Sequence, residues 1–306
     1  MTNVVILGVF VADTAYRAAR APQMGETIMG ESFKLGPGGK GSNQAVASAR
    51  AGAETHFITR LGRDTFAEMA LKTWADAGVT PAVTQHDDGY TGAAYIFIEA
   101  ATGNNAIIVC PGVAGSISPT DIVAHSDLIG QATVFVTQLE QPMDAAMQAL
   151  QIARTGGAIT ILNPAPAATL PDGMLALCDY LTPNETEAEA LTGIAVTSLE
   201  DATVAASALT RMGARAVVVT LGEKGALYHA NGKSVHVPAF NAGPVVETTG
   251  AGDAFNGGFA AALASGMDPA GAVRFGCATA SISVTRPGTA PSMPSLTEIT
   301  ELLARQ

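Results

Sequence analysis

A chain of 306 residues, 48% hydrophobic and 14% charged, can bury a sizeable core in one large domain or two modest ones, and its composition excludes disorder. The formal charge of −11 argues against nucleic acid or an anionic membrane as partner, while leaving room for a local site that binds a small anion. Three widely spaced cysteines, Cys110, Cys178 and Cys277, fit buried thiols in a reducing, cytoplasmic setting better than a disulfide framework.

The chain opens on MTNVVILGVFVADTAYRA. Its apolar run at 4–10 is too short to span a bilayer, follows no basic region and leads to Asp13, so it reads as a first strand and not a signal peptide. Residues 13–35 and 91–110 are short and strand-like, with Gly-containing turns between ETIMGESFKL, GAAYIFIEA and NNAIIVC; they suit a small sheet standing apart as a cover. Val- and Ile-rich runs then recur at 132–139, 158–164, 180–184 and 214–222, which suits strands covered on both faces. Amphipathic segments at 143–157 and 199–214 read as helices between them. Strand, helix, strand in repetition means the α/β class, a mostly parallel central sheet with helices on both sides. In such sheets ligands sit beyond the carboxyl ends of the strands, which draws attention to Asp13, Glu140, Asn184 and Gly222.

Two glycine stretches carry the chemistry. GPGGKGSNQAVASARAGA, residues 36–53, holds Gly36, Gly38 and Gly41 in G-x-G-x-x-G spacing, with Glu54 eighteen positions after the first. A dinucleotide fingerprint belongs after the first core strand of a βαβ unit, whereas here the preceding strand lies in the irregular region; nor is this a Walker A loop, because Gly41 follows Lys40. Glycines that admit backbone amides to a small polar ligand, with Asn43 offering its amide to hydroxyl groups, make a better reading; a tight turn that only packs a helix is the alternative. Lys40, flanked by glycines, is expected to contribute mainly its backbone.

The second stretch is TTGAGDAFNGG, residues 248–258. Gly250, Ala251 and Gly252 leave amides unobstructed at a helix start, where a partial positive charge favours an anion. Asp253 beside it suits a general base that takes a proton from a hydroxyl attacking a bound phosphate, or else simply complements the helix dipole. Gly257 and Gly258 in mid-helix suggest close packing against a neighbour, and Phe255 and Phe259 are core residues. The five histidines show no metal-ligand spacing, and Met143 with Met147 reads as helix core.

Taken together, GPGGKGSNQAVASARAG and ETTGAGDAFNGGFAAAL resemble the two signatures of the ribokinase-like sugar kinases, also called the PfkB family, across essentially the whole chain. The resemblance implies a single ribokinase-like domain over 1–306, a three-layer αβα fold with a mostly parallel sheet, and a small β-sheet lid formed by about 13–35 and 91–110. It implies transfer of the γ-phosphate of ATP to a sugar hydroxyl, ribose or a related pentose at O5, in a homodimer joined through the lid. Asp253 would be the catalytic base and Gly250, Ala251 and Gly252 the anion hole. Asp13, Gly39, Lys40, Asn43 and Glu140 match the sugar-contacting set. Asn184 and Glu187, in NETE, would organise Mg²⁺ and its waters, Thr220 and Gly222 match the nucleotide turn, and Cys277 lies near adenine. Glu247, Thr249, Val284 and Ser292 would hold a monovalent cation such as K⁺, largely through backbone oxygens.

Three positions depart from the ribokinase pattern. Val11 replaces an Asn two residues before the sugar-binding Asp, which removes a hydrogen-bond partner and points to a different hydroxyl pattern. Glu247 stands where Asp is usual beside the cation loop, and Cys277 replaces a His or Asn. The rivals are a nucleoside or other carbohydrate kinase of the same family, a non-catalytic sugar-sensing protein on the same fold, and a nicotinamide oxidoreductase.

Overall fold

The computed structural model describes residues 2–305. The chain begins with β1 (Asn3–Leu7), β2 (Val11–Ala18), β3 (Ser32–Gly38), α1 (Lys40–Arg50), β4 (Glu54–Gly62), α2 (Thr65–Ala77), β5 (Val79–His86), β6 (Thr91–Glu99) and β7 (Asn105–Gly112). Next come α3 (Pro119–Ala124), α4 (Ser126–Gly130), β8 (Val134–Thr137), α5 (Met143–Gly156), β9 (Ile159–Leu162), β10 (Tyr180–Leu181), α6 (Glu185–Thr192) and α7 (Leu199–Arg211). The last third holds β11 (Ala216–Thr220), β12 (Ala226–Ala230), β13 (Lys233–Val237), α8 (Ala251–Ala264), α9 (Pro269–Ser283) and α10 (Leu296–Arg305).

Among the described residues, nine strands form one sheet in the order β13-β12-β11-β10-β9-β8-β1-β4-β5, and four form another in the order β3-β2-β6-β7. The large sheet is parallel from β11 to β5 and ends in the antiparallel β11-β12-β13 meander. Its strands alternate in what they bury. Val4, Ile6, Val134 and Val136 pack into one apolar cluster with residues of α1, α2, α8, α9 and α10. Val5, Leu7, Phe135 and Leu162 join a second cluster with α5 and α7 on the opposite face. Both faces being covered, the strands read as continuous apolar runs, and three layers result. No helix among the described residues is long and apolar enough to cross a membrane.

The structure refines several expectations. The first strand stops at Leu7, not at residue 10; Gly8 still donates its N–H to Ile58 O of β4 at 3.2 Å, and α1 and Gln138 crowd it, a Cβ there standing 2.5 Å from Gln138 Oε1 and 2.8 Å from Gly41 Cα. Asp13 consequently lies inside β2 of the small sheet and not after a strand of the large one. The small sheet spans 11–18, 32–38, 91–99 and 105–112; of ETIMGESFKL, only the part from Ser32 is strand. β4 and β5 were not anticipated as core-sheet strands, since their runs are interrupted by His56, Arg60 and Gln85.

β1 is paired on one side with β4 and on the other with β8, so the order of connection reverses between β1 and β8. Carboxyl ends at such a switch point form the crevice where α/β proteins bind ligands. The loops after β8, β9, β10 and β11 and the amino ends of α1 and α8 converge there.

Candidate active site

Two helices packed at unusually short range build the centre of the site. A Cβ at Gly257 of α8 would lie 2.4 Å from Ala47 Cβ and 2.6 Å from Gln44 O of α1, and one at Gly258 would lie 2.3 Å from Thr279 Oγ1 of α9. The paired glycines therefore let α8 nest between both neighbours. That nesting carries Asn43 and Gln44 to Asp253: Asn43 Nδ2 donates to Oδ2 at 2.9 Å, and Gln44 Nε2 donates to Oδ1 at 3.1 Å.

Gly250 caps α8 in the left-handed region, at φ 83°, and Asp253 is the third residue of the helix. The Ala251 N–H turns back onto Thr248 O at 3.1 Å, while the amides of Gly250, Gly252 and Asp253 have no acceptor among the described residues. Of the expected anion-hole trio, Ala251 is thus the one whose donor is engaged within the fold, while the Asp253 amide, outside that trio, is unengaged. A Cβ at Gly252 would meet nothing within 4 Å, so the tip opens into the cleft.

Acids dominate this cleft. Asp253 is 7% exposed; burial raises its pKa, against the opposing pull of Lys40 and of the Asn43 and Gln44 donors. Burial first, then the charges of Asp253 and Glu247, push Asp13 up to about 6. Glu140 is pushed up to about 7, chiefly by burial, although Lys40 opposes this through its charge and its amide. Burial also raises Glu187. Burial pulls the Lys40 ammonium down, but Asp253, Glu140 and Glu187 outweigh it, and its pKa is raised. Lys40 thus places its ammonium within the field of these acids, in addition to the backbone contact of its amide with Glu140.

Glycines make room for the polar groups. A Cβ at Gly38 would lie 2.3 Å from Asp13 Oδ2, and one at Gly39, whose φ is 88°, would lie 2.4 Å from Val9 O. Gly39 is the N-cap of α1, and the Lys40 amide that follows donates to Glu140 Oε2 at 2.8 Å. Asn43 Oδ1 is buried without a partner among the described residues, an acceptor left unsatisfied beside Asp253.

On the other side of the tip, Asn184 caps α6. Its Oδ1 accepts from Glu187 N at 2.8 Å, Glu187 Oε2 accepts from Asn184 N at 2.9 Å, and Asn184 Nδ2 donates to Glu187 Oε1 at 3.1 Å. Asn184 also bridges Thr220, whose N–H donates to Pro183 O at 2.9 Å. Gly222, at φ 53°, faces open space.

The segments expected around a monovalent cation do meet. Glu247 Oε2 accepts from Gly288 N at 2.9 Å, and Val284 O accepts from Val246 N at 2.8 Å and from Glu247 N at 3.2 Å. Thr249 is exposed, whereas Ser292 is buried with its hydroxyl donated to Thr289 O at 2.7 Å. Cys277 packs into the core on α9, and burial pushes its thiol up to about 12, so it presents little surface to a ligand.

The sequence reading does not include a chain of buried polar side chains behind Asp253, the amides of Gln44, Gln138, Asn163 and Asn256 with the Thr182 hydroxyl. The sequence held one signal, a Gln beside Asn43 in a helix otherwise made of small residues on its buried face.

A family model for pfkB family carbohydrate kinases matches residues 1–296. The chain belongs to the pfkB family of carbohydrate kinases. This pfkB kinase is 38% identical to a ribokinase of Haemophilus influenzae over 299 residues, 97% of each chain. It is 35% identical to a deoxyribokinase of Salmonella typhi over 304 residues, 99% of each. Among solved structures, Arabidopsis thaliana ribokinase complexed with ribose and ATP superposes with a TM-score of 0.92 at 31% identity, covering 98% of both chains. The pfkB kinase thus has the ribokinase fold, with the small sheet as its lid.

Proposed function

We propose that this kinase transfers the γ-phosphate of ATP to a pentose hydroxyl, O5 of ribose or a close relative. One observation carries the reading: a buried carboxylate, Asp253, shares the first turn of α8 with amides that have no acceptor and open into an acid-lined cleft. The tip amides offer donors to charge building on the transferred phosphoryl group, and Asp253 accepts the proton of the attacking hydroxyl. Asp13, Glu140 and Asn43 Oδ1 supply acceptors for sugar hydroxyls, and the lid sheet, which carries Asp13, closes over the sugar and excludes competing water. Relatives named ribokinase and deoxyribokinase, together with the ribose and ATP complex of the Arabidopsis protein, support a pentose acceptor.

Mg²⁺, when bound with the nucleotide, would neutralise the polyphosphate. The residues fit a cation reached through water: both Glu187 carboxylate oxygens are engaged by Asn184, so direct ligation would dismantle the cap of α6. For K⁺, the Val284 carbonyl already accepts two N–H groups, which leaves Thr249, Glu247 and the Ser292 backbone as the better-fitting donors.

The acceptor is tested by phosphorylation assays with ATP across ribose, 2-deoxyribose, fructose and adenosine. Val11 is buried and apolar where the ribokinase pattern has an amide, so 2-deoxyribose is expected to compete well with ribose. Turnover of adenosine alone would move the assignment to a nucleoside kinase, and ATP turnover with none of the four would favour a sugar sensor.

The lid supports a homodimer. Register places Tyr16 with Phe33, and Thr14 with Leu35 and Tyr95, and Tyr95 with Ile108, on one face of the small sheet. All but Thr14 are exposed, and Tyr16 lies 5.0 Å from the Phe33 ring and 5.5 Å from that of Tyr95. Contiguous apolar surface of this kind marks an interface. Light scattering is expected to show a dimer that Tyr16→Lys with Ile108→Lys converts to monomer, and Cys110, exposed on the same face, should then react faster with a thiol reagent. A monomeric wild type overturns the dimer.

A further inference from the structure

Asp253 divides its two oxygens between two different environments. Oδ2 meets Asn43, whose own Oδ1 is buried without a partner; Oδ1 of the aspartate is held by Gln44, which has no solvent exposure. Gln44 spends every hydrogen-bonding atom on this arrangement. Its Nε2 donates to Asp253 Oδ1 and to Asn163 Oδ1, both at 3.1 Å, and its Oε1 accepts from Gln138 Nε2 at 2.7 Å.

Amide polarity in this chain is determined at its far end. Asn163 Nδ2 donates at 3.0 Å to the Thr182 carbonyl, which can only accept, so Asn163 Oδ1 must face Gln44. A flipped Gln44 would then set its carbonyl oxygen against two acceptors, Asp253 and Asn163. The chain continues through the Thr182 hydroxyl, which donates to Asn256 Oδ1 at 2.6 Å, and Asn256 Nδ2 donates to Gly252 O at 2.8 Å. It therefore leaves α8 at Asp253 and returns to the same helix at the preceding residue, binding the carboxylate and the anion-hole turn into one ring. An apolar core of equal shape would fold without these polar groups, whose burial is costly wherever a partner is lost.

We propose that Gln44 is a positioning residue that clamps the Asp253 carboxylate: with Oδ1 tethered to Gln44, Oδ2, which accepts from Asn43, keeps a fixed direction and a remaining lone pair for the attacking hydroxyl. The proposal rests on reading Asp253 as the general base. Gln44 is buried and touches neither ligand space nor solvent, so its action passes through Asp253. Charged groups that bear on Asp253 are Lys40 of α1, Asp13 of β2, Glu140 after β8 and Glu187 of α6, and none of them hydrogen-bonds to it.

The test is Gln44→Met, close in volume and without a donor. Carbon-13 NMR of carboxyl-labelled aspartate, with Asp253→Asn to assign the signal, reads the Asp253 titration in the ligand-free protein without any need for turnover. Loss of a donor to the charged form is expected to move that titration up by about one pH unit. The acid limb of kcat should follow, kcat should fall roughly 10- to 100-fold through misplacement, and calorimetric sugar affinity should stay at the wild-type value. An unmoved titration, or a loss confined to sugar affinity, overturns the clamp. Should Gln44→Met fail to fold, Gln138→Met, one bond further out, is expected to shift Asp253 in the same direction by less, and an unmoved signal there overturns it equally. A wild type that phosphorylates no sugar sinks the base assignment and the clamp together, whereas an active wild type with an unmoved Gln44→Met titration sinks only the clamp.

Discussion

Asp253→Asn is expected to lower turnover by about 10³-fold, the scale of a lost general base, while sugar affinity measured by calorimetry survives. Asn keeps the shape and removes the charge, and the carboxylates of Asp13 and Glu140 are unaltered; its NH2 replaces one of two acceptors, so Asn43, whose Nδ2 donates to Asp253, must turn its own amide to meet it. Because the carboxylate must be ionised to accept a proton, wild-type kcat should rise with pH along an acid limb that the variant lacks. Stability should move the other way from activity. Burial raises the Asp253 pKa, so the group favours folding fully below its unfolded pKa and loses that contribution as pH rises through the folded one. The raised pKa therefore costs stability as pH rises above the unfolded value, and Asn removes that titration, so the variant's melting temperature should fall less with rising pH than the wild type's. Asp13, raised from 3.8 to about 6, and Glu140, raised from 4.5 to about 7, act in the same sense, so the ligand-free protein should lose stability across that window. A variant with a near-normal rate would remove Asp253 from the chemistry.

Much of the scaffold was legible because it depends on periodicity and on glycine. Runs such as 132–139 and 214–222 announce strands buried on both faces, and the alternation of Val4 and Ile6 with Val5 and Leu7 between two clusters is the physical reason. Gly257 and Gly258 predicted close helix packing, which the α1 and α9 contacts display. β4 and β5 were harder to see, because strands toward the sheet margin carry charged and polar residues that break an apolar run. Where a motif resembles a family signature, as at Asp253 and Asn43, the sequence names residues that the fold brings within hydrogen-bond distance. Contacts between distant segments are not legible in the sequence: Gln44, Asn163 and Thr182 are separated by 119 and 19 positions along the chain and meet only once the sheet forms. Nor does the motif tell which helix-tip amide is already engaged; that follows from the Thr248 turn.

Gly252→Val separates the anion site from the fold. A Cβ at Gly252 meets nothing within 4 Å, so a side chain there starts out into open space at the helix tip. In the first turn of α8 a residue with a Cβ is also less costly than Gly, by roughly 0.5–1 kcal/mol for Ala, so the melting temperature should not fall. The branched side chain would nevertheless stand over the amides of Gly252 and Asp253, where a terminal phosphate must approach. Loss of such donors to the developing charge is expected to lower kcat/KM for ATP by about 10²-fold, with Ala intermediate and sugar affinity unchanged. Gly250→Val is the contrast at the same tip: its φ of 83° and Thr289 atoms 3.2 Å from a Cβ mean that it should lose stability along with activity. Full ATP turnover by Gly252→Val would show that the phosphate does not rest on this helix end, whatever role Asp253 plays beside it.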